Sequence, residues 1–257
     1  MALARAMSVL RAIAAAGTGG ARAGELSAAT GLHRVTVHRL LADLNHEGLV
    51  EQDAERAYHL GAEAWLLGRA AGRRFDLARL GEPAIERIER ETHDTVYLLR
   101  RIPGAVVCIA RRDGSYPVKS LVMDVGVRYP LGIGGGGLAV LAFLPAADIE
   151  AALKEVQKQL AAYPRVTMAR VRKLLRRTQQ EGYSYWPGLI SEAHVVGVPI
   201  RDGAGQPIGA LSCAAIRERL GGTRLRRVVG LLKAEAAQIG KHLGTKQGNH
   251  SRKTTRP

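Results

Sequence analysis

Residues 23–60 read AGELSAATGLHRVTVHRLLADLNHEGLVEQDAERAYHL. The apolar residues of this stretch recur at helical spacing on both sides of Thr30 and Gly31. Glycine suits the left-handed conformation just past a helix end, where a side chain would be strained. A first helix should therefore end at Thr30 and a second should begin near Arg34. The stretch predicts a helix-turn-helix.

The second predicted helix has an apolar face and an opposite polar face. The apolar side, which should pack in a core, carries Val37, Leu40, Leu41 and Leu44. The opposite side presents Val35, Thr36 and Arg39, with Arg34 and His38 on its flanks. Arginine can bond guanine through two hydrogen bonds, and Thr or Val can contact thymine methyl groups. We therefore expect this face to enter a major groove, with Arg34 and His38 near phosphates.

A short hairpin is predicted directly after this helix. Residues 49–52 and 57–60 read as two strands joined by a polar turn at residues 53–56. Such a hairpin would be the wing of a winged helix, and Arg56 in its turn is the expected wing contact to DNA. The alternative is a pair of helices and a hairpin that bind no DNA. The glycine turn, the spacing, the polar face and the hairpin occur together, which favours double-stranded DNA as a partner.

The charge of the chain points in the same direction but is unevenly distributed. The 257 residues carry a formal charge of +15, which suggests an acidic partner such as nucleic acid. Residues 1–60, however, contain six Arg and six Asp or Glu, so the predicted DNA-binding part is formally neutral. The motif, and not the bulk charge, carries the prediction.

Composition also limits the other classes of site. Cys108 and Cys213 each lie in an apolar run, which predicts buried thiols and a reducing cytoplasm. No run approaches about 20 apolar residues, so neither a signal peptide nor a membrane span is expected. The histidines of the first domain lack metal-site spacing, and we expect no metal and no cofactor.

The remainder of the chain predicts a linker helix and a second domain. Residues 62–75 form a helix that is apolar on more than one side, which suggests packing against its copy in a dimer or burial within the chain. Strands expected at residues 95–99, 105–110, 118–123, 194–200 and 206–215 pair through turns, which favours an α+β fold with an antiparallel sheet. We therefore divide the chain into residues 1–61, 62–75 and 76–244, followed by a disordered basic tail at 245–257.

A run of glycines precedes an apolar helix in the second domain. Residues 132–137 formally satisfy G-x-G-x-x-G, but the preceding strand is short, contains Pro130 and belongs to an antiparallel sheet. A dinucleotide site is therefore disfavoured. Backbone N–H groups at a helix start still attract an anion such as a carboxylate. The alternative is that the glycines only permit close packing.

The combined motifs resemble a known family. The stretches RAMSVLRAIAA, ELSAATGLHRVTVHRLLADLNHEGLVE, VGVRYPLGIGGGGLAVLAF and PIRDGAGQPIGALS, in this order, are similar to those of IclR-type bacterial transcriptional regulators. The resemblance implies a winged helix-turn-helix, a linker helix and a GAF-like domain that binds a small-molecule effector, assembled as a homodimer or tetramer. The family's recognition helix commonly begins with a Lys-Ser-Thr cluster, whereas residues 33–36 read HRVT here.

The resemblance also implies which residues line the effector pocket. One wall corresponds to Leu131, Gly132, Ile133, Gly134, Gly135 and Gly136, and the other to Tyr185, Val195, Ser212 and Ala214. In relatives that bind small hydrophilic acids, an Asp, a Cys and a Ser stand where this chain has Tyr185, Val195 and Ala214. The pocket should therefore be more apolar, and we expect a hydrophobic or aromatic carboxylate.

Two other functions remain possible from the sequence. An enzyme could use Ser191, Glu192 and His194, but alternate residues of an extended segment point to opposite faces, so no nucleophile and base are paired. These residues would then only cap a loop, and we expect no catalytic site. A small-molecule sensor that acts through protein contacts alone would make the helix-turn-helix vestigial. A DNA-binding regulator is the leading prediction.

Overall fold

The computed structural model describes residues 2–72, 76–118, 121–188 and 192–251, with the side chains of 244–251 left aside. Contacts divide the chain into two compact units, Met1–Phe75 and Asp76–Pro257. Each unit has its own apolar core. No helix within the described ranges is long and apolar enough to cross a membrane.

The first unit is a winged helix-turn-helix, as predicted. Its elements are α1 (Ala2–Ala15), α2 (Ala23–Thr30), α3 (Arg34–His46), β1 (Val50–Gln52), β2 (Tyr58–Leu60) and α4 (Ala62–Gly72). Gly31 has φ 68°, and its N–H bonds the Ser27 carbonyl, which ends α2 where the sequence predicted. The predicted core face of α3 is buried against α1 and α2 through Val37, Leu40, Leu41 and Leu44.

The helix predicted as a linker is α4, and residues 73–75 of that prediction lie outside the described residues. Trp65, Leu66 and Leu67 on α4 are 61%, 49% and 55% exposed. No residue of the first unit buries them, so within this unit α4 is not the buried intrachain helix that was the alternative.

The second unit is built on a six-stranded sheet in which every neighbouring pair is antiparallel. The strands, in the spatial order β5-β4-β3-β8-β7-β6, are Arg128–Pro130, Ala105–Arg112, Thr95–Ile102, Pro207–Ala215, His194–Arg201 and Ser184–Trp186. The α+β class with an antiparallel sheet is therefore confirmed.

The two faces of the sheet carry different helices. One face packs on α5 (Asp76–Thr92) and α9 (Gly222–Ser251), and the other packs on α6 (Gly134–Leu141), α7 (Ala146–Gln159) and α8 (Met168–Glu181). Cys213 is buried between the sheet and helices α5 and α9, and Cys108 is buried on the opposite face. Both are free thiols, as predicted. Burial raises the pKa of Cys108 to about 11, so this thiol is not a nucleophile at neutral pH.

Strand β4 contains one bulge. The register steps from Leu98 opposite Ala110 to Leu99 opposite Cys108, which leaves Ile109 as the extra residue. Before the bulge, Val106 and Cys108 face the core of α6, and after it Ala110 faces the core of α5. The bulge therefore exchanges the two sides of the strand.

A buried ion cluster joins both ends of the second unit. Asp94, 3% exposed, receives hydrogen bonds of 2.7 Å from Arg219 Nε and from Arg224 Nη2. Both guanidinium groups also donate to the carbonyl of Thr92. The cluster fixes the start of α9 against the turn between α5 and β3.

Two sequence predictions about secondary structure are corrected here. Residues 118 and 121–123, predicted as a strand, are irregular, and 119–120 lie outside the described residues. Side chains, and not a neighbouring strand, bind the backbone of Val122, so no ladder forms there. Helix α9 continues to Ser251, although the tail from 245 was predicted to be disordered. Gly244 and Gly248 each cost only about 1 kcal/mol in a helix, and no proline follows before Pro257. Residues 252–257 are not described.

Candidate functional site

The polar face of α3 is presented to solvent. Val35, a β-branched apolar residue, is 71% exposed at the start of the helix. Arg34, His38 and Arg39 are exposed beside it, and Thr36 is half-buried. An exposed valine among arginines gains nothing in water, and it fits a surface that contacts thymine methyl groups.

The wing is held by an anchor that the sequence analysis missed. The Asp53 carboxylate accepts a hydrogen bond from the N–H of Ala57 and lies 2.7 Å from His59 Nε2. The hydrogen bond from His59 holds the pKa of Asp53 below its usual value. Arg56 in the turn is exposed and has φ 63°, a left-handed conformation that is uncommon for a residue with a side chain. The anchor therefore fixes the turn that presents Arg56.

A small apolar cavity lies in the second unit between the sheet and the start of α6. Its volume is about 30 Å³, close to the space of one water molecule. Its described lining comprises Leu99, Val106, Val122, Met123, Tyr129, Ile133, Gly134, Gly135, Gly136, Gly137, Trp186, Ala193, Val195 and Ser212. No Lys, Arg or His belongs to this lining.

Six of the ten predicted effector residues line this cavity. They are Ile133, Gly134, Gly135, Gly136, Val195 and Ser212. The cavity lining does not include Leu131, Gly132, Tyr185 or Ala214. A Cβ on Gly132 would meet Leu141 and Val171, so this residue faces α6 and α8, and Leu131 and Ala214 are buried in the surrounding core.

Tyr185 lies on the side of β6 that faces away from the cavity. Alternate residues of a strand face opposite sides, and on β6 Ser184 and Trp186 face α6 while Tyr185 packs in the core of α5 and α9. The hydroxyl of Tyr185 lies 2.7 Å from His194 Nδ1 on that other side. Trp186, which the sequence analysis did not select, lines the cavity instead of Tyr185.

The glycines of α6 allow the helix backbone to contact the sheet. A Cβ on Gly135 would lie 2.7 Å from Val195 Cγ1, and one on Gly136 would overlap Leu99. The hydroxyl of Ser184 donates to the Gly135 carbonyl at 2.6 Å. Close packing, the alternative explanation of the glycine run, therefore applies to these two residues. The helix still begins at Gly134, so its first N–H groups lie at the cavity.

The irregular segment 121–124 forms the roof of the cavity. Its Val122 N–H donates to the hydroxyl oxygen of Tyr97 at 2.9 Å, and its Val122 carbonyl accepts from the Tyr129 hydroxyl at 3.0 Å. Arg111 donates to the Met123 carbonyl and contacts Asp124. Burial raises the pKa of Tyr97 to about 12. Two tyrosines and one arginine thus hold this roof in place.

The residues of the enzyme alternative are not brought together. Glu192 is exposed and pairs with Arg165 at 2.8 Å, while His194 bonds Tyr185. Ser191 lies outside the described residues. Within the described part of the chain no group of three or more His, Cys, Asp or Glu could hold a metal ion.

A winged helix-turn-helix joined to a second domain of α+β class places the chain among the DNA-binding transcriptional regulators. Residues 2–54 match the profile described as IclR helix-turn-helix domain, and residues 70–241 match that described as bacterial transcriptional regulator IclR C-terminal. The chain belongs to the IclR family of bacterial transcriptional regulators.

Relatives of this chain are regulators as well. The HTH-type transcriptional regulator KipR of Bacillus subtilis is 29% identical over 224 residues, which cover 86% of this chain and 88% of KipR. The glycerol operon regulatory protein of Streptomyces griseus is 28% identical, over 94% of this chain and 96% of its own.

Solved structures share the fold. An IclR regulator from Alicyclobacillus acidocaldarius superposes with a TM-score of 0.75 at 23% identity, over 93% of this chain and 97% of its own. An IclR homolog from Microbacterium hydrocarbonoxydans, crystallised with 4-hydroxybenzoate, gives a TM-score of 0.74 at 23% identity. The match covers 95% of this chain and 99% of the homolog.

Proposed function

We propose that this regulator reads its operator through the exposed face of α3, assisted by the wing. Val35, Thr36 and Arg39 contact base edges, and Arg34, His38 and Arg56 contact phosphates. The observation that carries this proposal is the 71% exposure of Val35 at the start of a helix whose opposite face is fully packed.

The operator should contain two half-sites. One recognition helix covers only a few base pairs, so two copies of the chain related by a two-fold axis read half-sites about 10 base pairs apart or a multiple of this. The exposed apolar face of α4 supports association into a dimer or tetramer through this helix. Selection of bound duplexes from genomic fragments, followed by footprinting, tests the proposal. Recovery of no common sequence would count against it.

The cavity of the second unit binds the effector. Its apolar lining favours a small hydrophobic or aromatic molecule, and the N–H groups at the start of α6 favour a carboxylate on it. The fold neighbour crystallised with 4-hydroxybenzoate supports an aromatic acid as the ligand class. Because 30 Å³ is too small for such a molecule, the lining of the cavity has to widen when it binds.

Effector binding changes operator affinity by linkage. A coupling free energy of about 1–3 kcal/mol corresponds to a change of about 5- to 150-fold in DNA affinity, and operator DNA must change effector affinity by the same factor. Calorimetric titration of a bound effector with and without operator measures this factor. Equal effector affinities in the two titrations would show that ligand binding in the cavity does not regulate DNA binding.

A further inference from the structure

The indole Nε1 of Trp186 is a buried donor that has no hydrogen-bond partner among the described residues. Trp186 lies at the end of β6, is 2% exposed and lines the cavity. The indole nitrogen can only donate, and buried donors in folded proteins are nearly always satisfied. Because the Trp186 side chain lines the cavity, a ligand that carries an acceptor can satisfy this donor.

The sheet places the hydroxyl of Ser212 on the same wall as Trp186. Trp186 pairs with Val195 and Val195 with Ala214, while Ser212 lies two residues before Ala214 and so faces the same side. The opposite wall consists of the α6 glycines, which have no side chains. Trp186 is thus the only N–H side-chain donor among the described lining residues.

The lack of a cation in the described lining restricts the charge of the ligand. Burying a charge is costly unless it is paired or hydrogen-bonded, and because no Lys, Arg or His belongs to the described lining, only the N–H groups at the start of α6 can bind a single negative charge. A phosphorylated compound or a dianion would remain unneutralised. A planar molecule with a single oxygen-bearing group matches the apolar walls and the one N–H donor.

We propose that the cavity takes a small aromatic molecule whose oxygen acceptor is bound by Trp186 Nε1, so that Trp186 selects ligands by this hydrogen bond. The inference rests on the proposed function, because it concerns the same cavity. The inference goes beyond the proposed function because ligand recognition depends on a side chain of β6 as well as on the N-terminus of α6.

The chain contains two tryptophans, Trp65 and Trp186, which makes a direct test possible. In ¹⁵N-labelled full-length protein, the Trp65→Phe variant assigns the two indole N–H resonances. Benzoate should move the Trp186 resonance downfield, as hydrogen bonding does, and should leave that of Trp65 unchanged. Toluene, which has the same ring without an acceptor, should give no downfield shift. Benzoate that leaves the Trp186 resonance in place at millimolar concentration overturns the proposal.

A variant separates the hydrogen bond from the shape of the site. Trp186→Phe keeps an aromatic ring and removes the donor, so benzoate should bind about tenfold more weakly while toluene binds no more weakly than to the wild type. Equal losses for both probes, or unchanged benzoate affinity, would contradict the role of Nε1. The resonance experiment needs no substitution of Trp186, so it decides the question if Trp186→Phe does not fold.

The same samples distinguish this proposal from the regulatory one. If benzoate bonds Trp186 but leaves operator affinity unchanged, the hydrogen-bond assignment stands and ligand control of DNA binding by benzoate fails. If benzoate alters operator affinity without moving the Trp186 resonance, the regulatory proposal stands and the Trp186 assignment is wrong.

Discussion

The hydroxyl oxygen of Tyr97 lies 2.9 Å from the backbone nitrogen of Val122 and accepts its hydrogen bond. Tyr97 is fully buried in the central strand of the sheet, whereas Val122 belongs to the irregular roof of the cavity. The sheet thus holds the roof through a group that can lose a proton.

Ionisation of Tyr97 should lower stability at alkaline pH. Burial raises its pKa from the usual 10.0 to about 12, so between these values the unfolded chain loses the proton while the folded chain keeps it. The free energy of unfolding should therefore be unaffected below pH 10 and fall by on the order of 2–3 kcal/mol as the pH rises to about 12. Urea unfolding followed by Trp186 emission in a Trp65→Phe background measures this decrease.

The Tyr97→Phe variant should flatten this dependence because it has no proton to lose. Tyr116→Phe, which keeps its ring over Arg219, is the matched control and should retain the wild-type profile. A Tyr97→Phe profile identical to that of the wild type would show that another group causes the alkaline loss.

Arg39 and Arg34 should affect DNA binding in different ways. Arg39→Ala should cost about 1–3 kcal/mol at the operator and relax one base position, since a base contact is lost. Arg34→Ala should weaken binding to all sequences alike and reduce the salt slope by about one unit, since a phosphate contact is lost. Fluorescence anisotropy at several salt concentrations measures both. Arg90→Ala on α5 provides an exposed arginine control, and unchanged operator affinity of Arg39→Ala would refute the base contact.

Asp94→Ala should destabilise the second unit strongly. The change leaves the guanidinium groups of Arg219 and Arg224 without their carboxylate in a mostly buried position, for which a cost of about 3–5 kcal/mol is typical. Glu91→Ala removes an exposed ion pair with Arg227 of the same 2.7 Å length and should cost less than about 1 kcal/mol. Chemical unfolding measures the free energy of unfolding of both variants. Similar decreases would mean that burial does not make the ion pairs of Asp94 more important for stability than the exposed pair.

Self-association should depend on the apolar face of α4. Trp65→Glu places a charge among Leu66 and Leu67, and if that face is covered by a second copy the charge would be buried unpaired. Sedimentation should then show a shift toward monomer together with weaker operator binding. Val125→Glu, at a similarly exposed residue of the second unit, should leave association unchanged. A Trp65→Glu protein that remains associated would place the interface elsewhere.

The sequence predicted the first unit well because local rules determine it. Gly31 ends α2, and the four apolar positions of α3 define its core face. The cavity was harder to predict, because its wall depends on which side of β6 faces α6. The family resemblance pointed to Tyr185, yet Ser184 bonds the Gly135 carbonyl, and Trp186, two residues on, faces the same side. Strand alternation from Ser184 could have found Trp186, but only with knowledge that α6 lies across that strand.

The roof could not have been predicted from pattern alone. The apolar residues of 118–123 favour a strand, but the backbone of Val122 is bound by the side chains of Tyr97 and Tyr129, which are distant in sequence. An apolar run predicts which side chains are buried, and it does not distinguish a strand from an irregular segment.

The extra residue Ile109 can be lost without turning the end of β4 over. Beyond it, Arg111 points toward the roof, where it bonds Met123, and Arg112 points toward Glu82 and Glu86 on α5. Cys108 and Ala110 already lie opposite consecutive residues of β3, so removal of Ile109 would leave a regular ladder with both arginines on their present sides. Homologous chains can therefore carry a one-residue gap at this position without a compensating insertion nearby.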